Sequence, residues 1–279
     1  MPELPEVETI AAGVHARVHG QRIARVWTSG APQTFKTPEA EIAAALAGSR
    51  IASVRRVGKT IVMTVGAPSF AASSQRVGSV ELLIHLGMTG RLLVSAPEIP
   101  LAPHTHAVLT LGDGRELRFV DPRRFGRLSL HAPPPTTYTG PGREPLTITL
   151  DDFIALFHPR RTPIKAALLD QSLLHGIGNI YADESLFRAA IRPTRQSARL
   201  TRAELARLRT ALVKVLRHAI ELGGSSVSDY VDADGARGFF QLQHKVYRRT
   251  GQPCRVCKTP IRRIQIAGRS THFCPRCQR

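Results

Sequence analysis

Two sets of residues in this chain have the types and spacing to do chemistry. The first is Cys254-x2-Cys257, sixteen intervening residues, then Cys274-x2-Cys277. Each pair can place two thiolates on one metal ion, and Ile261–Ile266 with Ser270–Phe273 can form a hairpin that joins the pairs. All four positions are cysteine, so the tetrahedron is closed and one zinc ion would be structural rather than catalytic. Disulfide pairing is the alternative, at odds with the lack of a secretion signal. The second set is the terminus, Met1-Pro2-Glu3-Leu4-Pro5-Glu6. If Met1 is removed, Pro2 offers a secondary amine beside a carboxylate where a helix begins, and the helix dipole disfavours its protonation. A frayed, functionless terminus is the competing reading.

Weaker motifs accompany these two. His175-Gly176-Ile177-Gly178-Asn179 puts two glycines before a helix, whose N–H groups would bind a phosphate with Asn179 as a side-chain donor. An ordinary glycine turn would look the same. Asp121-Pro122-Arg123-Arg124-Phe125-Gly126 and His85-Leu86-Gly87-Met88-Thr89-Gly90 place Arg123, Phe125 and Met88 in turns. Exposed together, these would suit insertion into a base stack; a core methionine and a core phenylalanine are the plainer reading. Lys59, after Gly58, is either a surface lysine or an acid/base group. Arg269, beside Gly268 at the expected hairpin tip, either points at a phosphate or is simply solvated. The eleven histidines show no metal-ligand spacing.

The charge balance favours a polyanionic partner. There are 39 basic and 21 acidic residues, net +18, which attracts nucleic acid before other partners. Residues 1–150 carry net +5 and residues 151–279 net +13, so backbone contacts should concentrate in the second half. Only six of the basic residues are lysines, each able to lose its proton where arginine cannot. No signal peptide, membrane-spanning run or lipidation motif is present, and all cysteines lie in the last 26 residues. A reduced, cytoplasmic protein away from membranes is expected.

The elements that must position these residues begin with a helix over Glu3–Val18, its Val7, Ile10, Ala11, Val14 and Val18 on one face. Eight strands follow: Arg22–Trp27, Ile51–Val57, Thr60–Val65, Val80–Leu86, Arg91–Val94, Ala107–Leu111, Arg115–Val120 and Arg127–Leu130. A short helix near Pro38–Ala47 interrupts them, and their spacing suggests a β-sandwich or flattened barrel. Gly66–Gly78 reads as an excursion, and 132–146 as a Pro/Gly-rich linker. Helices are then expected at Asp151–Phe157, Pro163–Gln171, Ile180–Ala189 and Thr201–Leu222, the last opened by a Thr201/Glu204 capping box. Segment 225–243 lacks periodicity and reads as a long functional loop.

Taken in order, Pro2–Thr9, His85–Met88, Asp121–Gly126, Gly176–Glu184 and the four cysteines resemble the bacterial formamidopyrimidine-DNA glycosylases, with endonuclease VIII enzymes as relatives. Leu4, where those relatives usually have glycine, favours the purine-lesion branch. The resemblance covers the whole chain and implies an α+β, multidomain protein with a DNA groove between its parts. These would be an N-terminal helix and two-layer β-sandwich (1–131), a linker (132–148), a helix–two-turn–helix domain (149–224), a lesion-capping loop and connector (225–250), and a four-cysteine zinc finger with a β-hairpin (251–279).

By position, the resemblance makes Pro2 the nucleophile on the sugar, Glu3 the general acid that opens the ring, and Lys59 an acid/base and phosphate group. Met88, Arg123 and Phe125 would fill the gap left by the flipped base, with Arg123 facing the orphaned cytosine. His104, Arg161, Asn179 and Arg269 would contact DNA backbone, Arg269 also serving the second elimination. The implied activity is excision of oxidised purines from damaged double-stranded DNA by a monomer, then strand cleavage by β,δ-elimination. Flipping a base out of the stack costs a few kcal/mol. A secondary amine on the sugar gives an iminium, an electron sink for elimination at both phosphates. An oxidised-pyrimidine glycosylase and a non-catalytic zinc-finger DNA-binding protein are the alternatives. Two departures from the pattern stand out: a long 66–80 segment, and arginine at 161 where lysine is frequent.

Overall fold

The computed structural model describes residues 1–66, 79–131, 137–226, 233, 235 and 238–279. Residues 67–78 of the Gly66–Gly78 excursion, 132–136 of the 132–146 linker, and 227–232, 234, 236 and 237 of the 225–243 loop lie outside the described residues. The chain is mixed helix and sheet, in two compact units. Met1–Thr139 and Ser225–Gly238 make the first, Gly140–Gly224 and Phe239–Arg279 the second.

In the first unit, α1 spans Leu4–Val18, with Glu3 as its N-cap rather than its first residue. Pro5 sits in the first turn, where its missing N–H has no partner to lose. The expected face of Val7, Ile10, Ala11, Val14 and Val18 is buried. The strands are β1 (Ile23–Thr28), β2 (Arg50–Val57), β3 (Thr60–Gly66), β4 (Val80–His85), β5 (Arg91–Ser95), β6 (Thr105–Leu111), β7 (Glu116–Val120) and β8 (Arg127–His131). They form two antiparallel four-stranded sheets, ordered β1-β6-β7-β5 and β2-β3-β4-β8. Leu82, Ile84, Leu92, Leu109, Leu117, Phe119 and Leu128 belong to one buried core, so this is the two-layer sandwich that strand spacing predicts. The short helix α2 (Glu39–Leu46) adds Ile42 and Leu46 to that core.

The second unit is helical, with one hairpin. Helix α3 (Leu150–Phe157) is capped by Thr149, whose hydroxyl oxygen accepts the Asp152 N–H. Helix α4 (Ile164–Leu169) is shorter than expected, because the Asp170 carboxylate accepts the N–H and hydroxyl of Ser172 and turns the chain. Helix α5 (Asn179–Arg188) follows the double-glycine turn. Helix α6 (Arg202–Glu221) starts with the Thr201/Glu204 capping box and buries Leu205, Leu208, Leu212, Val215 and Ala219. Gly223 and Gly224 end it at positive φ, as a left-handed C-cap requires. A 3-10 turn at Phe240–Gln243 stands where the sequence shows only loop, held by a fully buried Phe240. Strands β9 (Arg262–Ile266) and β10 (Arg269–Phe273) form the terminal hairpin. Its tip is Ala267-Gly268, both at positive φ, so Arg269 begins β10 opposite Ile266 instead of occupying the tip. Among the described residues no helix is long and apolar enough to cross a membrane.

Candidate active site and metal cluster

Pro2 and Glu3 are buried at the positive end of α1, with Met1 exposed before them. Their position is set by Glu6, which sits one helical turn further on and is itself buried. Glu6 Oε2 accepts the Glu3 N–H at 2.8 Å, and Oε1 accepts the Ser225 N–H at 2.7 Å. Glu6 thus anchors the helix start to the chain beyond α6.

Lys59 occupies the two-residue β2–β3 turn, which Gly58 enters at φ 60°, as a type II′ turn demands. The His85 ring lies close enough to feel its charge. Burial, then the Lys59 and Arg127 charges, pushes His85 below the ordinary histidine range, so the ring is neutral. Its Nδ1 accepts the Gly87 N–H at 3.1 Å, which places the remaining proton on Nε2.

The loops carrying Met88, Arg123 and Phe125 come together. Met88 is 42 % and Phe125 46 % exposed, which rules out the core reading for both. The Arg123 guanidinium stands 4.7 Å from the centre of the Phe125 ring. A Cβ on Gly87 would fall 2.5 Å from the Phe125 carbonyl carbon, so the two loops touch backbone to backbone. Asp121, fully buried, ties them: its Oδ1 accepts the Thr89 hydroxyl at 2.6 Å and its Oδ2 the Gly126 N–H at 2.7 Å. Its own N–H donates to the carbonyl of His104, an exposed residue at φ 65°. Asp121 carries no chemistry in sequence, yet it is the pivot of this loop pair. An aspartate opening an Asp-Pro turn is the one signal that pointed to it.

In the second unit Asn179 is the first residue of α5, and its Nδ2 donates to Ser270 Oγ at 3.3 Å, next to the exposed Arg269. The hairpin is fastened to the helices from below. Lys165 and Asp183 form a fully buried ion pair at 2.6 Å, and Lys165 Nζ also donates to the Ser270 carbonyl at 2.9 Å. Asp183 Oδ2 accepts the His272 N–H at 2.8 Å. Burial this complete requires such pairing on every side. Arg161 stands exposed on the α3–α4 loop, which is braced by Ala198 N–H on the Arg160 carbonyl at 2.7 Å.

The four cysteines converge, with their sulfurs all within 4.8 Å of one another. Cys254–Cys277 at 3.9 Å and Cys257–Cys274 at 3.4 Å are too long for disulfides. They straddle the edge of about 3.8 Å that a zinc–sulfur tetrahedron requires. Backbone N–H groups of Val256 and Cys277 point at the Cys254 and Cys274 sulfurs, as thiolates prefer. A hydrogen bond with Thr259 brings the Cys257 thiol down to about 6, whereas burial pushes Cys274 and Cys277 up. A divalent cation held by the four sulfurs would supply the charge that keeps them deprotonated. The donor set fits one structural zinc ion.

Comparison with known proteins covers the chain from end to end. The formamidopyrimidine-DNA glycosylase N-terminal domain matches residues 1–128, the H2TH domain of the same glycosylase matches 141–231, and a zinc finger found in FPG and IleRS matches 251–279. The formamidopyrimidine-DNA glycosylase of Solibacter usitatus is 45% identical over all of both chains, and that of Herpetosiphon aurantiacus 43%. Among solved structures, the MutM (Fpg) protein of Thermus thermophilus has TM-score 0.83 at 41% identity, covering 99% of this chain and 98% of that one. A Lactococcus lactis Fpg variant in complex with Fapy-dG containing DNA has TM-score 0.89 at 31% identity over all of both chains. The same bacterium's Fpg with abasic site containing DNA reaches 0.87 at 31% identity, covering 99% of each. The chain belongs to the formamidopyrimidine-DNA glycosylase family.

Proposed function

We propose that this protein is a base-excision repair enzyme that removes oxidised purines from duplex DNA and then cuts the abasic strand. It acts as a cytoplasmic monomer, with Pro2, freed of Met1, as its nucleophile. The proline nitrogen bonds to the sugar's anomeric carbon while the bond from that carbon to the base breaks. Glu3 supplies the proton that opens the sugar ring. The resulting iminium withdraws electrons, so loss of a proton from the adjacent sugar carbon expels the 3′ phosphate, and a second elimination expels the 5′ phosphate. Lys59 and Arg269 serve proton transfer and phosphate neutralisation. Met88, Arg123 and Phe125 fill the space the base vacates, and His104, Arg161 and Asn179 hold the backbone. The functional division follows the stretches 1–131, 149–224, 225–250 and 251–279, joined by the 132–148 linker.

The observation that carries this reading is the burial of Pro2 and Glu3 at the start of α1, under the Glu6 anchor. Non-functional termini fray; this one is packed and tied. The test is borohydride reduction during reaction with an 8-oxoguanine:cytosine duplex. A covalent complex mapping to Pro2 is expected, and its absence would overturn the assignment. Parallel excision of an oxidised pyrimidine decides the lesion class.

A further inference from the structure

Helix α1 fixes Pro2 and Glu3, and the β2–β3 turn fixes Lys59. Helix and sheet share one apolar core, which includes Val7, Ile10, Val14, Ile51, Val54 and Ile61, and the Val54 N–H donates to His15 Nδ1 at 3.1 Å. Arg56 adds a directed polar tie close to the turn. It lies on β2, three residues before Lys59, and its side chain is only 5% exposed. A guanidinium so nearly buried must be paired. Its Nε donates to Glu8 Oε2 at 2.7 Å, on α1, five residues from Glu3 and about 7.5 Å along the helix axis. Its Nη1 lies 3.5 Å from the Gly58 carbonyl oxygen, which belongs to the peptide unit leading into Lys59. One planar side chain thus reaches both the helix that bears the nucleophile and the peptide that bears the lysine. The fork geometry matters here, since a lysine at 56 would offer one point of charge in place of two directed donors.

We infer that Arg56 and Glu8 are positioning residues for the reaction: together they lock the Lys59 turn to the helix that carries Pro2 and Glu3. The inference rests on the assignment of Lys59 to the chemistry. Arg56 is given no direct part in the chemistry. Glu8 is a third exposed and accepts change, whereas removing Arg56 would leave a gap under the turn.

The test is a double-mutant cycle in single-turnover cleavage of an abasic-site duplex by the full-length, zinc-loaded protein. Glu8→Ala should slow cleavage about 10- to 100-fold, the range a misplaced catalytic group produces, with duplex affinity unchanged. Glu8→Gln, which keeps an acceptor for Arg56, should fall between Glu8→Ala and the parent. In a Lys59→Ala background, Glu8→Ala should have no further effect, because the lysine it serves is gone. If Glu8→Ala slows both backgrounds equally, or slows neither, Glu8 and Arg56 are merely structural and the inference fails. If Lys59→Ala alone cleaves at the parent rate, it is the Lys59 assignment that fails. Thermal midpoints of all variants separate slow cleavage from unfolding.

Discussion

Glu6 Oε2 binds the backbone N–H of Glu3 at 2.8 Å, while the same carboxylate holds Ser225 through its other oxygen. Two donors converge on one acceptor-only group. Glutamine has a single oxygen, so Glu6→Gln must leave one buried N–H facing an amide NH2. We expect a loss of about 1–3 kcal/mol in stability, read as a lower urea midpoint. Glu6→Asp keeps both oxygens but shortens the reach, and should lose less than Glu6→Gln.

Asp121 presents a similar case at the loops bearing Met88 and Phe125. Asp121→Ala strands the Gly126 N–H and releases the Thr89 hydroxyl. Stability should fall by about 1–3 kcal/mol. Because Met88, Arg123 and Phe125, the residues proposed to insert, lose their common anchor, affinity for lesion-containing duplex should drop more than affinity for undamaged duplex. Equal losses in a competition assay would show that Asp121 supports the fold alone.

His244 gives the protein a pH dependence. Burial lowers its pKa from 6.5 to about 4, with the ring packed between Phe240 and Tyr247. In the unfolded chain the ring protonates near 6.5, so its contribution is full above that value and is lost as pH falls from 6.5 through about 4. The contribution is at most about 3 kcal/mol. Urea midpoints measured from pH 7.5 to 4 should decline over that interval, and His244→Phe should flatten this part of the curve.

Removal of zinc should undo the terminal hairpin. Without the cation, the buried Cys274 thiol and the half-buried Cys277 thiol favour protonation, and the four sulfurs no longer share a centre. Binding at such sites contributes about 10–16 kcal/mol. Incubation with a strong chelator should release one equivalent of metal and abolish duplex binding, with recovery on adding zinc back. Unchanged binding after complete metal loss would contradict a structural role.

The parts of the molecule governed by short periods were legible in the sequence. The α1 stripe and the α6 stripe repeat every three or four residues, and the cysteine pairs announce themselves by spacing. What escaped was long-range pairing between polar groups. Thr89 meets Asp121 across 32 residues, and Glu6 meets Ser225 across 219. No local pattern marks such partners, since an aspartate in a turn or a glutamate in a first helical turn already has a sufficient local reason to be there. Lys165 and Asp183 escaped for the same cause: in sequence each is a charged residue on a helix, and only the fold buries both. The short 3-10 turn at Phe240–Gln243 was missed because it is held by tertiary burial of one phenylalanine, not by its own propensity.

Met1 is exposed while Pro2 behind it is buried. As long as Met1 remains, the proline nitrogen is a tertiary amide with no lone pair to give. The proposed chemistry therefore turns on a cut beside an exposed Met1 whose far side is already buried. On that chemistry, a molecule that keeps Met1 can fold and hold its zinc yet has no amine to react, so the active fraction of a preparation follows the fraction of trimmed chains.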